Sequence, residues 1–494
     1  MKRTKILAAS LAVGAVLAGS VTMATPAEAH PRQRGVQNVI YLLGDGMGRT
    51  HVTAGRERFY GAAGRLNMET MPVHGFVRTY SVLENSGQPG QRDFKPNLVT
   101  DSASSATAWA SGVKTYNAAL GVDAKGNVKA TAMELAKKAG YRTGNVSTAE
   151  ITDATPAGQA SHVLMRGCQG PTYSAASCQN LDITGTELPT NDIRVTPVAK
   201  QIARNGTADV ILGGGLARFD AADEKALTAQ GYQVLSSPTE QQVATRADLG
   251  RARGGKVFGL FNRGNLTVEK AKADNPSAPQ AKEPTLAEMT TKAISLLDSS
   301  KGRHGKGFYL QVEGALIDKR SHANDAAQTL GEIKAFDDAV KVALDFAKRD
   351  GNTLVIVTAD HECAGFNIIE KGTFTNAEAA NPPVNVDAGN PANNSNPSRP
   401  AGNTKDSSRS TGIVNGQGAN DPHNFAPATF RTADDPRGVK DGTPEASLWL
   451  TYLSGNHTGA DVPIYAYGRG SEQLQGTVEN TDLFRIVTRA LRVA

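Results

Sequence analysis

Asn38-Val39-Ile40-Tyr41-Leu42-Leu43 runs directly into Gly44-Asp45-Gly46-Met47-Gly48. A short, largely apolar run that breaks off at glycines reads as a buried strand ending in a turn. The same pattern returns at Thr143–Thr148, Ala208–Leu212, Val257–Phe261, Phe308–Val312, Thr353–Thr358 and Pro463–Tyr467. Helical patterns lie between several of these runs. They include Thr131–Ala139 and the stretch in which Ile333, Phe336, Val340, Leu344 and Ala347 recur at spacings of three and four. Strands alternating with helices predict an α/β fold, a three-layer αβα sandwich with a largely parallel central sheet covered on both faces. Ligands of such sheets gather beyond the carboxyl ends of the strands. The polar residues just after each predicted strand are therefore the ones to read for chemistry.

The alternation stops from about Thr373 to Glu445, where Asn, Pro, Gly, Ser and Asp dominate, as in Asn390-Pro391-Ala392-Asn393-Asn394. That composition predicts a long loop-rich surface insertion, about 373–445, within one catalytic domain spanning 30–494. At the start of the chain, Lys2, Arg3 and Lys5 precede an apolar run from Ile6 to about Val21 and then Ala27-Glu28-Ala29. This is the pattern of a secretory signal peptide over residues 1–29. The run is short for a bilayer and rich in Gly, Ser and Ala, which argues against a membrane span. An exported protein is expected, extracellular or periplasmic, with no membrane span after signal removal. Losing the segment takes the formal charge from +5 to +3. Lys and Arg are scattered, so a nucleic-acid partner has no electrostatic footprint. Of the three cysteines, Cys168 and Cys178 can close a short disulfide loop in an exported protein, which leaves Cys363 over.

Asp45 stands at a strand end among glycines. The spacing is not G-x-G-x-x-G and its centre is acidic, so a metal ligand fits better than an anion cradle. Taken alone, however, this Asp reads first as a turn former. Phe308–Val312 leads into Glu313 and then to Asp318-Lys319-Arg320-Ser321-His322. In a helix, Asp318 and His322 share a face and suit zinc, while Glu313 suits a harder ion such as Mg²⁺. An exposed, ion-paired helix accounts for the same pair equally well. Thr353–Thr358 ends in Ala359-Asp360-His361, whose last two residues can serve one metal if the backbone turns there, or form a surface pair. His457, in Gly455-Asn456-His457-Thr458-Gly459, would by itself read as a solvent-exposed loop histidine. Its weight comes from the company of the other candidates.

Asp101-Ser102-Ala103-Ser104-Ser105 opens an Ala-rich helix, and a helix start favours an anion through its free N–H groups. The simplest reading of Ser102 alone is a helix cap. The chain has no G-x-S-x-G pentapeptide, no P-loop and no H-E-x-x-H. If Ser102 is a nucleophile, it therefore needs activation by metal rather than by histidine.

In order, Gly44–Gly48, the octapeptide starting at Asp101, Glu-Gly-Ala-x-x-Asp-Lys-x-x-His ending at His322, Thr358-Ala359-Asp360-His361 and His457-Thr458-Gly459 resemble bacterial alkaline phosphatases. Val113–Asn117, Gly144–Thr148 through Asp153–Pro156, and Ser161–Arg166 add to the resemblance, which spans roughly residues 36 to 494. It implies two Zn²⁺ and one Mg²⁺. Asp318, His322 and His457 would bind one zinc. Asp45, Asp360, His361 and Ser102 would surround the second, and Asp45, Thr155 and Glu313 would hold the magnesium. The resemblance also implies that Ser102 forms a phosphoserine and that Arg166 clamps phosphate. Asp153 and Lys319 would orient the magnesium waters and the phosphate. Broad phosphomonoesters would be substrates, inorganic phosphate the product, and the assembly a homodimer. Several bacterial members carry a histidine three residues after the Asp of the Asp-His pair, where this chain has Cys363. Both an inert buried thiol and one that tunes or ligates a metal stay open at that position.

Two other readings compete. A phosphodiesterase or sulfatase of the same wider superfamily would share the ligand pattern but commonly uses Thr or a modified Cys as nucleophile. A secreted metal- or phosphate-binding protein would not need Ser102 beside the ligands. Ser102 with Arg166 favours monoesters, because a planar clamp on two non-bridging oxygens suits a terminal phosphate.

Overall fold

Strand Asn38–Gly44 is buried along its whole length and lies in the interior of a ten-stranded sheet. The computed structural model describes residues 36–299, 305–373 and 428–493; the predicted signal peptide and residues 374–427 of the predicted insertion lie outside them. From one edge the sheet runs Gly476–Glu479, Val73–Arg78, Val462–Tyr467, Thr353–Thr358, Asn38–Gly44, Phe308–Gly314, Arg142–Glu150, Val210–Gly214, Val257–Leu260 and Gln233–Val234. Every strand but Val462–Tyr467 runs in one direction. The three central strands are buried at every position, which is why their sequences show continuous apolar runs instead of alternation.

Helices Arg49–Tyr60, Leu286–Ser299 and Ala326–Asp350 pack together in one group, and Ser102–Ser111, Ala132–Lys138 and Asn480–Leu491 in another, each against the sheet. The long helix Ala326–Asp350 buries Ile333, Phe336, Val340, Leu344 and Ala347, the stripe expected from their spacing. The α/β sandwich predicted from the sequence is the fold observed. Among the described residues no helix is long and apolar enough to cross a membrane. Cys168 and Cys178 form the predicted disulfide, and Cys363 is a buried free thiol.

Part of the segment read as a loop-rich insertion is regular. Ala428–Phe430 pairs with Leu448–Thr451, which pairs with Asn367–Ile369. Phe430 is buried, and Arg58 grips Asp441 through two hydrogen bonds of 2.6 and 2.7 Å. This small sheet is assembled from strands far apart in the chain, so local composition does not reveal it.

Register levels the carboxyl ends of the central strands. Leu43 pairs with Glu313 on one side and Thr358 on the other, and Ser147 also pairs with Glu313. The residues that follow, among them Asp45, Asp360 and His361, consequently leave the sheet together at the carboxyl ends of its central strands.

Candidate metal centre and active site

The turn after Asn38–Gly44 is fixed by its backbone. Asp45 N donates to Gly314 O at 3.2 Å, and Gly46 N donates to Asp360 Oδ1 at 3.0 Å. Gly46 adopts φ +69°, and a Cβ there would meet Cys363 Cβ at 2.8 Å and Asp318 Cα at 2.9 Å. Only glycine satisfies both the backbone and the space. Helix Leu316–His322 sets Asp318 and His322 on one face, with Asp318 Oδ2 3.3 Å from His322 Nε2. The two-residue strand Glu362–Cys363 pairs antiparallel with His457–Thr458, which carries His457 to the Asp360-His361 turn. Glu362 ties this pairing down by accepting from Phe366 N at 3.0 Å, from Gly365 N at 3.2 Å and from the Thr458 hydroxyl.

Asp101, not Ser102, caps the helix Ser102–Ser111; its carboxylate accepts from Ser104 N at 2.9 Å. Ser102 is thereby released from the capping role that its sequence position suggests. Its hydroxyl lies 3.2 Å from His361 Nε2.

Two groups of donor atoms converge. One comprises Asp318, His322, Cys363 and His457, the other Asp45, Asp360 and His361, with the donor atoms of each group within 4.8 Å of one another. The hydrogen bonds of the imidazoles point to a cation. His322 Nδ1 lies 2.7 Å from Gly455 O and His457 Nδ1 lies 3.0 Å from Thr100 O. A carbonyl only accepts, so each Nδ1 carries the proton, and in the neutral rings two Nε2 lone pairs face each other at 3.1 Å. His457 Nε2 is also 3.6 Å from Asp318 Oδ1.

Buried oxygens that lack a hydrogen bond repeat the message: Thr155 Oγ1, and Asp45 Oδ1, Asp318 Oδ1 and Asp360 Oδ2, which meet only imidazole nitrogens at 3.0 to 3.7 Å. Burial pushes the Asp45 carboxyl well up, and the Asp360, Asp318 and Glu313 carboxylates push in the same direction. Burial likewise raises Glu313 to about 7 against the lowering effect of its Ser147 hydrogen bond. Asp318 moves the other way. Burial would raise it, but the His322 hydrogen bond and the nearby His322, His361 and His457 hold it well below the usual range. Imidazoles and carboxylates at this density fit divalent cations such as zinc, and the oxygens of Asp45, Thr155 and Glu313 fit a harder ion.

Arg166 lies between two carboxylates, with Nη1 3.2 Å from Asp101 Oδ2 and Nη2 2.8 Å from Asp153 Oδ1. The other Asp153 oxygen accepts from Lys319 Nζ at 2.7 Å. Burial opposes the Asp153 charge, yet Lys319 and Arg166 hold its carboxyl well below the ordinary range. Thr155 sits on the short helix Ala154–Ala157, and its carbonyl accepts from Gln311 on the strand that carries Glu313. Glu313 belongs to neither of the two donor groups.

The family model for alkaline phosphatase matches residues 36–493. The chain belongs to the alkaline phosphatase family. It is 42% identical over 352 residues to the alkaline phosphatase of Escherichia fergusonii, covering 66% of this chain and 70% of the relative. It is 34% identical over 488 residues to alkaline phosphatase H of Pseudomonas aeruginosa, covering 92% and 85%. The structure of Thermus thermophilus alkaline phosphatase matches with a TM-score of 0.64 at 24% identity over 94% of this chain and 92% of that one, a likeness of fold. The protein is thus a phosphoric monoester hydrolase of the alkaline phosphatase family.

Three contributors to the candidate site escaped the sequence reading. Asp101 holds Arg166 as well as the helix, Ser147 donates to Glu313, and Glu362 fixes the loop bearing His457. Ser147 and Glu362 each carried a local signal. Ser147 lies near the end of a predicted strand beside the one that delivers Glu313, and Glu362 adjoins the Asp360-His361 pair.

Proposed function

We propose that this alkaline phosphatase is a secreted, broad-specificity phosphomonoesterase that uses Ser102 as nucleophile at a site of two Zn²⁺ and one Mg²⁺. Asp318, His322 and His457 would hold one zinc, and Asp45, Asp360, His361 and Ser102 would surround the other. Asp45, Thr155 and Glu313 would take the magnesium. When bound, these cations act as Lewis acids that favour the serine alkoxide and take up charge on the leaving oxygen.

The observation that carries the reading is the Ser102 hydroxyl beside His361 Nε2 at the start of a helix that another residue caps. Ser102 Oγ bonds to phosphorus as the bond to the leaving oxygen breaks, giving a phosphoserine and an alcohol. Arg166 presents two N–H groups to the equatorial oxygens. Asp153, bonded to both Arg166 and Lys319, keeps the guanidinium from swinging away. Water then cleaves the phosphoserine to inorganic phosphate and restores the hydroxyl. The signal-peptide pattern of residues 1–29 supports export, and the family resemblance supports a homodimer.

The test is hydrolysis of p-nitrophenyl phosphate at alkaline pH, with and without chelator, alongside bis(p-nitrophenyl) phosphate and the Ser102→Ala variant. Zinc-restored monoesterase activity that disappears in Ser102→Ala is expected. Preference for the diester would move the reading to a phosphodiesterase, and turnover of neither would leave a binding protein.

A further inference from the structure

Cys363 stands where the sequence departure and the donor geometry meet. It is fully buried and pairs directly with His457 across the two-residue strands. Its backbone N–H donates to Gly46 O at 3.0 Å, and its Cβ packs against Gly46, so the side chain is held from behind. Sγ lies within 4.8 Å of a donor atom from each of Asp318, His322 and His457. Its polar contact is a long one, 3.7 Å to Asp318 O. A second, independent feature faces the same space: Asp318 Oδ1 is buried and has no hydrogen-bond partner, and the His322 and His457 Nε2 atoms confront each other there.

We propose that Cys363 is the fourth protein donor to the cation held by Asp318, His322 and His457, bound through Sγ as a thiolate. The inference rests on the metal reading given above. On binding, the S–H bond breaks, a sulfur–metal bond forms and the proton leaves to solvent. One carboxylate, one thiolate and two neutral imidazoles then balance a doubly charged ion. Two nitrogens, one oxygen and one sulfur are donors that zinc accepts, and zinc would take a substrate oxygen as a fifth ligand; the soft sulfur selects Zn²⁺ over Mg²⁺ at this position.

Cobalt(II) tests the assignment without relying on turnover. The full-chain enzyme is stripped with chelator and reloaded with Co²⁺. Visible ligand-field bands report that the site takes a metal, and a near-ultraviolet sulfur-to-cobalt charge-transfer band reports the thiolate. Cys168 and Cys178 are bonded to each other, so that band has one possible source. It is expected in the native protein and absent in Cys363→Ser. In chelator competition, Cys363→Ser is expected to bind one zinc about 10- to 100-fold more weakly. Ligand-field bands without the charge-transfer band in the native protein would overturn the role of Cys363 and leave the metal reading intact. Absence of both bands would overturn the metal reading itself, and the role of Cys363 with it.

Discussion

Ser102 Oγ lies 3.2 Å from His361 Nε2, the same nitrogen that stands 3.0 Å from Asp360 Oδ2. In a serine–histidine–aspartate triad the carboxylate holds the opposite ring nitrogen. Here His361 Nδ1 is buried without a partner, so the ring is not held as a general base is. The shared nitrogen suits a metal that would sit among serine, imidazole and carboxylate. Chelation is therefore expected to abolish phosphomonoesterase activity and added zinc to restore it. Activity persisting in metal-free enzyme would instead assign His361 as a base.

Arg166 is expected to act on phosphate binding. Arg166→Ala removes two charge-assisted hydrogen bonds, each on the order of 1.5–3 kcal/mol, and kcat/KM for a phosphomonoester should fall by about 10²- to 10⁴-fold. Arg166→Lys should recover little, since an ammonium cannot present the planar fork. Steady-state kinetics with phosphate as competitive inhibitor would check both variants, and an unchanged phosphate affinity would remove Arg166 from this role.

Gly46→Ala should be far more damaging than its size suggests. The added methyl meets Cys363 and Asp318 at a positive φ, so the turn that aligns Asp45 with Asp360 must shift. Overpacking of this kind costs about 1–3 kcal/mol. The expected result is reduced bound zinc, measured by elemental analysis, together with loss of most activity. Full metal content in a stable variant would show that the close approach is dispensable.

Lys114 gives a pH prediction away from the site. It is buried, donates to Tyr80 O at 2.7 Å and lies 3.4 Å from Glu479. Burial lowers its pKa from 10.5 to about 8, against the attraction of Glu479. Between those values the unfolded chain binds more protons than the folded one, so stability from this group rises with pH. The contribution is complete above 10.5 and is lost as pH falls through about 8. Buried tyrosines such as Tyr452, with raised pKa, act with the opposite sign above about 10. Denaturant unfolding between about pH 8 and 10 at fixed zinc concentration should show a rise that flattens in Lys114→Met. An identical slope in both proteins would sink the assignment.

The sequence alone determined the strand-and-helix alternation and the places where chemistry could sit. A strand buried on both faces must be apolar throughout, and a helix packed on one side must repeat every three or four residues, so both leave their mark locally. Hence Asn38–Gly44, Phe308–Gly314, Thr353–Thr358 and the Ile333 to Ala347 stripe were legible, as were the carboxylates and imidazoles that follow the strands. Tertiary structure alone decided which of those side chains meet and through which atoms. Ser102 and His361 are 259 positions apart, His322 and His457 are 135 apart, and Cys363 pairs with His457 across two short strands beside the hydrogen bonds of Glu362. No local pattern encodes such encounters, because sheet register and loop closure set them, and both are satisfied only when the whole sheet has formed.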